Sequence, residues 1–254
     1  MYEVIKHKLE EIEQREGIVM LHAVESGSRA WGFASPDSDY DVRFIYLREP
    51  EFYLRLGKTH DVLECQLDET LDINGWDLQK MLRLLRKSNP TLFEWASSPI
   101  VYLTTPEWEP IKRLLPDYFL SKHGVYHYLS MAEGNYREYL KRDTVKVKKY
   151  LYVLRPLLAC KWILEKQSPP PMLFSELVAS EAGDELAMEI RRLLDIKINS
   201  PETLEMQFIE PLNAYIDEAI PLLREQVEAL PTVKPKGYDE LDNLFIETLY
   251  RNLK

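Results

Sequence analysis

Apolar residues Val4, Ile5, Leu9 and Ile12 return at three- and four-residue intervals, which predicts an amphipathic helix over 3–15. Gly17 breaks that pattern, and the unbroken run IVMLHAV at 18–24 reads as a buried strand. The stretch ESGSRAWG at 25–32 is a tight turn that opens a short helix, and Pro36, Asp37 and Ser38 mark a further turn. Aspartates, aromatics and β-branched residues over 39–47 predict a second strand, and a third lies within 62–73. Asn74 and Gly75 read as a turn, followed over 76–87 by helical spacing of Leu78, Met81, Leu82 and Leu85 that ends at Asn89 and Pro90. A helical turn at 92–96 and a short strand at 100–103 complete this part.

Beyond residue 105 the pattern turns helical. The predicted helices span 107–115, 121–141, 145–166, 173–179, 183–195, 202–229 and 238–252, with prolines punctuating them. The expectation is an α+β chain: a mixed β-sheet with helices over 1–105, followed by an all-helical part over 106–254.

Composition changes this picture little. With 254 residues, 45% hydrophobic and 29% charged, the chain reads as an ordinary globule. No apolar run approaches the roughly 20 residues that cross a bilayer, so no membrane partner is expected. The opening MYEVIKHKLEEIEQREG reads as a charged helix and not as a signal peptide. Cys65 and Cys160 lie far apart without metal-type spacing and read as small apolar residues of a reducing compartment, with the cytoplasm as expected location.

Charge is more informative. A net charge of -10 argues against a basic coat for non-specific nucleic-acid binding. Yet residues 131–166 hold nine Lys or Arg against four acids, a local +5 that suggests one anionic ligand at one place.

The candidate chemistry begins at 25–46, ESGSRAWGFASPDSDYDVRFIY. Asp39 and Asp41 are one residue apart at the start of a strand, so they share a face. Like charges that close repel one another, and a divalent cation relieves the repulsion. An exposed acidic turn is the plainer alternative. Asp37, Asp39 and Asp41 also mimic the opening of a calcium loop, but Val42 stands where that loop needs glycine and Arg48 where it needs a bidentate glutamate. A phosphoryl-transfer site adds a carboxylate from a neighbouring strand. Asp61, Glu64, Asp68 and Asp72 are candidates, with Asp72 first and Asp68 second.

Gly27 and Ser28 precede the aspartate pair by ten residues; a glycine there admits close approach, and amides at a helix start suit phosphate oxygens. Arg29 either touches a phosphate or caps the local fold. Arg43 shares the strand face of Asp39 and Asp41, and either pairs with them or reaches a phosphate. On a helix, Lys148, Tyr152 and Arg155 lie on one face beside Lys149; they form either a triphosphate and base platform or a solvated basic stripe with the tyrosine packed inward. Pro156 is expected to bend or break that helix.

The Gly-Ser turn, the ten-residue interval and the D-x-D before an apolar strand resemble the signature of the DNA polymerase β-type nucleotidyltransferase superfamily. More closely, GSRAWGFASPDSDYDVRFIY, DINGWDLQKMLRLL, SNPTLFEWASSPIVY and VKVKKYLYVLRPLLACKW are similar to a bacterial and phage family of predicted nucleotidyltransferases, some members of which are associated with RNA ligases. The resemblance runs over about 20–166 and implies a nucleotidyltransferase domain at 1–105 and a helical domain at 106–254. It further implies that Gly27 and Ser28 hold nucleotide phosphates, that Asp39 and Asp41 bind two Mg²⁺ ions with Mn²⁺ as a substitute, and that Asp72 takes the third position.

The expected activity is Mg²⁺-dependent transfer of a nucleoside monophosphate from an NTP such as ATP to an acceptor hydroxyl, an RNA end being one candidate, with release of pyrophosphate. A protein-modifying nucleotidyltransferase is the second reading. A module that senses nucleotide without turnover is the third, and the intact aspartate pair counts against it.

Overall fold

The computed structural model describes residues 1–57, 59–68 and 70–252. Its contacts group the chain into two units: Met1–Gly27, Asp39–Tyr118 and the stretch from Pro235 onward form the first, and Ser28–Ser38 with Phe119–Lys234 the second. The expected division into 1–105 and 106–254 runs linearly along the chain; these units do not, because the C-terminal stretch groups with the N-terminal sheet.

In the first unit, helix α1 (Tyr2–Glu16) buries Ile5, Leu9 and Ile12, while Val4 faces solvent. Gly17 ends it in the left-handed conformation that glycine takes without penalty. Strand β1 (Val19–Glu25) is buried on both faces, as its unbroken apolar run requires. A single helical turn, α2 (Gly27–Ala30), follows, and then β2 (Tyr40–Leu47). A short helix α3 (Pro50–Tyr53) leads to β3 (Val62–Leu67) and β4 (Leu71–Asp77).

The one strand expected within 62–73 is therefore two, and Asn74 and Gly75 lie inside β4 instead of forming a turn. The cause is packing: a side chain at Gly75 would overlap the ring of Phe44 on β2, so the glycine admits a neighbour and does not reverse the chain.

Helix α4 (Leu78–Arg86) starts two residues later than the apolar spacing suggests, because the Asp77 carboxylate caps it by accepting the Gln79 amide at 2.8 Å. Helix α5 (Pro90–Ala96) is capped likewise by Asn89, and β5 (Val101–Thr104) closes the sheet. The strand order is β3-β4-β2-β1-β5; β2 and β4 are parallel, and the other neighbours antiparallel. Helix α6 (Trp108–Leu114) runs into a 3₁₀ turn, Leu115–Tyr118.

The second unit is built on α7 (Ser121–Tyr139) and α8 (Val147–Lys166), joined by a short strand β6 (Thr144–Lys146). Helices α9 (Phe174–Glu181) and α10 (Asp184–Ile198), strand β7 (Glu205–Gln207) and helix α11 (Glu210–Ala229) complete it. The all-helical expectation holds except for the β6–β7 ribbon, in which Val145 pairs with Met206. Helix α8 continues through Pro156 without a break in its span. Its Tyr150, Leu151, Leu154, Leu157 and Leu158 are wholly buried and form the centre of the unit's core. Helix α12 (Asp239–Arg251) belongs to the first unit, where Phe245 meets Tyr53 edge to face and Glu240 accepts from the Tyr118 hydroxyl.

The structure is thus α+β, with a mixed five-stranded sheet, and no described helix is long and apolar enough to cross a membrane.

Candidate active site

The parallel pairing of β2 with β4 sets Asp41 directly beside Asp72. Neighbours in register project to the same side of a sheet, so two carboxylates from different strands meet on one face. Asp39 lies two residues before Asp41, exposed and just ahead of β2.

Arg43, the next residue of that face, joins the pair: its Nη2 donates to Asp72 Oδ2 at 2.6 Å and to Asp41 Oδ1 at 3.2 Å, and its Nη1 to the Asp72 carbonyl at 3.0 Å. Arg43 thus forms the ion pair, one of the two roles open to it. The second candidate for the third carboxylate is used otherwise: Asp68 Oδ1 accepts the amides of Thr70 and Leu71, each at 2.9 Å, and holds the β3–β4 turn. Asp61 pairs with Lys80 at 3.2 Å, and Glu64 is exposed on β3.

Two residues ahead of the turn lies a participant that the sequence motifs did not single out. Glu25 is fully buried at the end of β1. Its Oε1 accepts the Asp41 amide at 2.8 Å, and its Oε2 accepts the Tyr102 hydroxyl at 2.5 Å. The Ser26 amide in turn donates to the Asp41 carbonyl at 2.8 Å. Both backbone groups of Asp41 are therefore held by the segment before Gly27. The one hint in the sequence is an acid that ends an apolar run, where burial demands partners.

Gly27 adopts a positive φ of 60°, and a Cβ on it would overlap Asp41 Oδ2. The glycine of the Gly-Ser pair thus leaves the room that the Asp41 carboxylate itself fills. A short helix begins at the same residue, with Ser28 buried and its carbonyl accepting the Phe33 amide at 3.0 Å.

The remaining predicted residues lie in the second unit. Arg29 Nη2 donates to the Ser38 carbonyl at 2.6 Å, a local tie across the 28–38 segment. Lys148 Nζ pairs with Glu202 Oε2 at 2.5 Å. Lys149 is half-buried over the ring of Tyr139 at 3.5 Å, and burial lowers its pKa. Tyr152 meets Trp31 edge to face. Arg155 is only 2% exposed, its guanidinium lying over Trp31 at 4.6 Å. Neither a solvated stripe nor an open platform describes this face: it packs inward, because the 28–38 segment and Met172 cover it.

The three aspartates offer hard oxygen donors, the class that Mg²⁺ and Mn²⁺ take. Gly27 packs directly against the Asp41 carboxylate, and the Arg43 guanidinium supplies positive charge to two of the three. Among the described residues, no three His, Cys, Asp or Glu side chains stand gathered as a finished cage. Waters and substrate phosphates complete the sphere in sites of this kind.

Three comparisons bear on the chain. The model of a family described as the RNA repair pathway DNA polymerase beta family matches residues 1–247. A protein of Bacillus subtilis (strain 168), named Uncharacterized protein YcgL, is 43% identical over 256 residues, across 98% of this chain and 96% of its own. A crystal structure of a nucleotidyltransferase-like protein from Exiguobacterium sibiricum 255-15 is 14% identical and covers 98% of this chain and 81% of its own, with a TM-score of 0.32.

Proposed function

Because the chain belongs to the RNA repair pathway DNA polymerase beta family, we propose that it transfers a nucleoside monophosphate from an NTP to an acceptor hydroxyl, an RNA end being the first candidate. The observation that carries this reading is the register pair of Asp41 with Asp72, with Asp39 two residues before Asp41 along the chain. The acceptor oxygen forms a bond to the α-phosphorus, the bond to the bridging oxygen breaks, and pyrophosphate leaves with that electron pair. The hydroxyl proton passes to solvent or to a carboxylate of the site.

Asp39, Asp41 and Asp72 would hold Mg²⁺ or Mn²⁺, which supplies charge neutralisation for the phosphates and a more acidic acceptor hydroxyl. Glu25 fixes the backbone of Asp41, and Gly27 leaves its carboxylate room on the substrate side. Arg43 keeps Asp41 and Asp72 parallel, so that little reorganisation is left for the reaction. The backbone at Gly27 and Ser28 is the phosphate contact, with ATP as one donor. Lys148 and Arg155, whose charges are engaged inside the second unit, serve the protein's own packing in this reading.

The test is label transfer from an α-labelled NTP in Mg²⁺ or Mn²⁺ to RNA oligonucleotides with defined ends, with protein acceptors assayed in parallel. Wild type should label an RNA end, and the Asp39→Asn/Asp41→Asn variant should not. Equal labelling by both removes the assignment, and label on protein alone moves the acceptor to a side chain.

A further inference from the structure

Residues 28–38 connect Gly27 to Asp39 along the chain, and so join the proposed phosphate contact to the first metal-candidate carboxylate. This segment is held by charges from distant parts of the sequence. Ser38 Oγ donates to Glu202 Oε1 at 2.6 Å, and the Glu202 amide donates to Asp37 Oδ2 at 3.0 Å. Lys197, 2% exposed, donates to Ser35 Oγ at 2.5 Å and pairs with Glu202 Oε1 at 3.3 Å. Lys148 pairs with the other Glu202 oxygen at 2.5 Å. Ser35 and Ser38 are themselves joined, amide to hydroxyl, at 3.0 Å.

A buried lysine without a carboxylate is costly, and so is a half-buried glutamate without a cation. The arrangement satisfies both, with Glu202 at the centre of two cations and a serine hydroxyl. Lys148 and Ser38, with Lys197 beside them, outweigh the burial of Glu202 and draw its pKa down to about 2. The carboxylate is therefore ionised throughout the neutral range. The cluster's contacts all end on the connecting segment, which also has an apolar hold: Phe33 meets Phe174 edge to face, and the Phe174 amide donates to the Trp31 carbonyl at 3.0 Å.

We propose that Glu202, clamped between Lys148 and Lys197, is a positioning residue for the reaction, which sets residues 35–38 and through them the placement of Asp39. The inference rests on the nucleotidyltransferase reading for its catalytic half only. Lys148, which lies among the basic residues expected to take a triphosphate, acts here through a carboxylate.

The experiment uses the full chain and two variants, Glu202→Gln and Lys197→Met/Glu202→Gln. The double variant removes the buried Lys197 charge together with the carboxylate and guards against simple misfolding of the single one. In both, amides over 28–38 should exchange with deuterium about tenfold faster or more, while the interior of α8 stays protected. The kcat of nucleotide transfer should fall by about tenfold with a smaller change in KM for NTP, because a misplaced ligand costs more in the transition state than in binding. Glu202→Asp, which keeps the charge, should recover part of both effects. Unchanged exchange over 28–38 in both variants overturns the proposal, and so does faster exchange with kcat and KM both intact. A wild type that transfers no nucleotide sinks the reaction reading instead, and the exchange data still decide whether the clamp exists.

Discussion

Gly27 and Asp41 exclude any side chain between them: the Cβ that any other residue would carry at 27 overlaps the Asp41 carboxylate. The positive φ of Gly27 adds a backbone cost of about 1 kcal/mol for alanine. The atoms in the way belong to the Asp41 side chain and not to backbone, so most of the damage falls on its direction and not on the fold. Gly27→Ala should lower stability by only about 1–2 kcal/mol in a chemical melt and cut nucleotide transfer by about 100-fold or more. Activity within a few fold of wild type would show that the orientation of Asp41 does not matter.

Arg43 supplies the positive charge between Asp41 and Asp72, and a divalent ion competes for the same oxygens. Arg43→Met removes the guanidinium that pairs with both carboxylates, at a cost of about 1–2 kcal/mol in metal-free buffer. Millimolar Mg²⁺ or Mn²⁺ should then raise the melting temperature of the variant more than that of wild type. The gain should vanish when Asp41→Asn is added. A Mg²⁺ response equal to wild type places the ion elsewhere.

The third carboxylate separates by the same logic. Asp72 faces Asp41, whereas Asp68 is spent on a turn. Asp72→Asn should reduce transfer by about 100-fold or more. Asp68→Asn should cost up to about 1 kcal/mol of stability and leave transfer within several fold. The reverse ranking in the labelling assay would exchange their roles.

His22 carries the clearest pH consequence in the sheet. It is buried and stacked on Trp108 at 4.4 Å, and burial lowers its pKa to about 4. A histidine depressed in the folded state is stabilising in its neutral form above its unfolded pKa near 6.5, and that contribution is lost as pH falls towards 4. Stability should therefore drop by about 2 kcal/mol between pH 7.5 and 5 from this group alone. Denaturant titrations of His22→Phe at the two pH values should show a slope reduced by that amount; an unchanged slope would assign the acid sensitivity to other groups.

The candidate site was legible in unequal parts. Asp41 could be placed at the start of a strand because the two-residue period is local, and Gly27 because its neighbours already spelled a turn. Asp72 was a choice among four acids until the β2–β4 register put it beside Asp41. Glu25 escaped notice, since a single acid at the end of an apolar run has no motif; its partners, the Asp41 amide and Tyr102, come from elsewhere in the sequence. The basic helix was read as exposed because spacing shows which residues share a face, but not whether another segment covers it.

The amino-acid pattern by itself determined what depends on neighbours a few residues away: the helical and extended periods and the αL glycine that ends α1. Tertiary structure decided what depends on pairing across long chain separations. It made Asn74 and Gly75 strand interior to admit Phe44, turned Lys148 towards Glu202, buried Arg155 against Trp31, and returned the C-terminal helix to the N-terminal unit. Strand register and helix coverage are set by the best joint burial of many distant side chains, and no local window of sequence contains that competition.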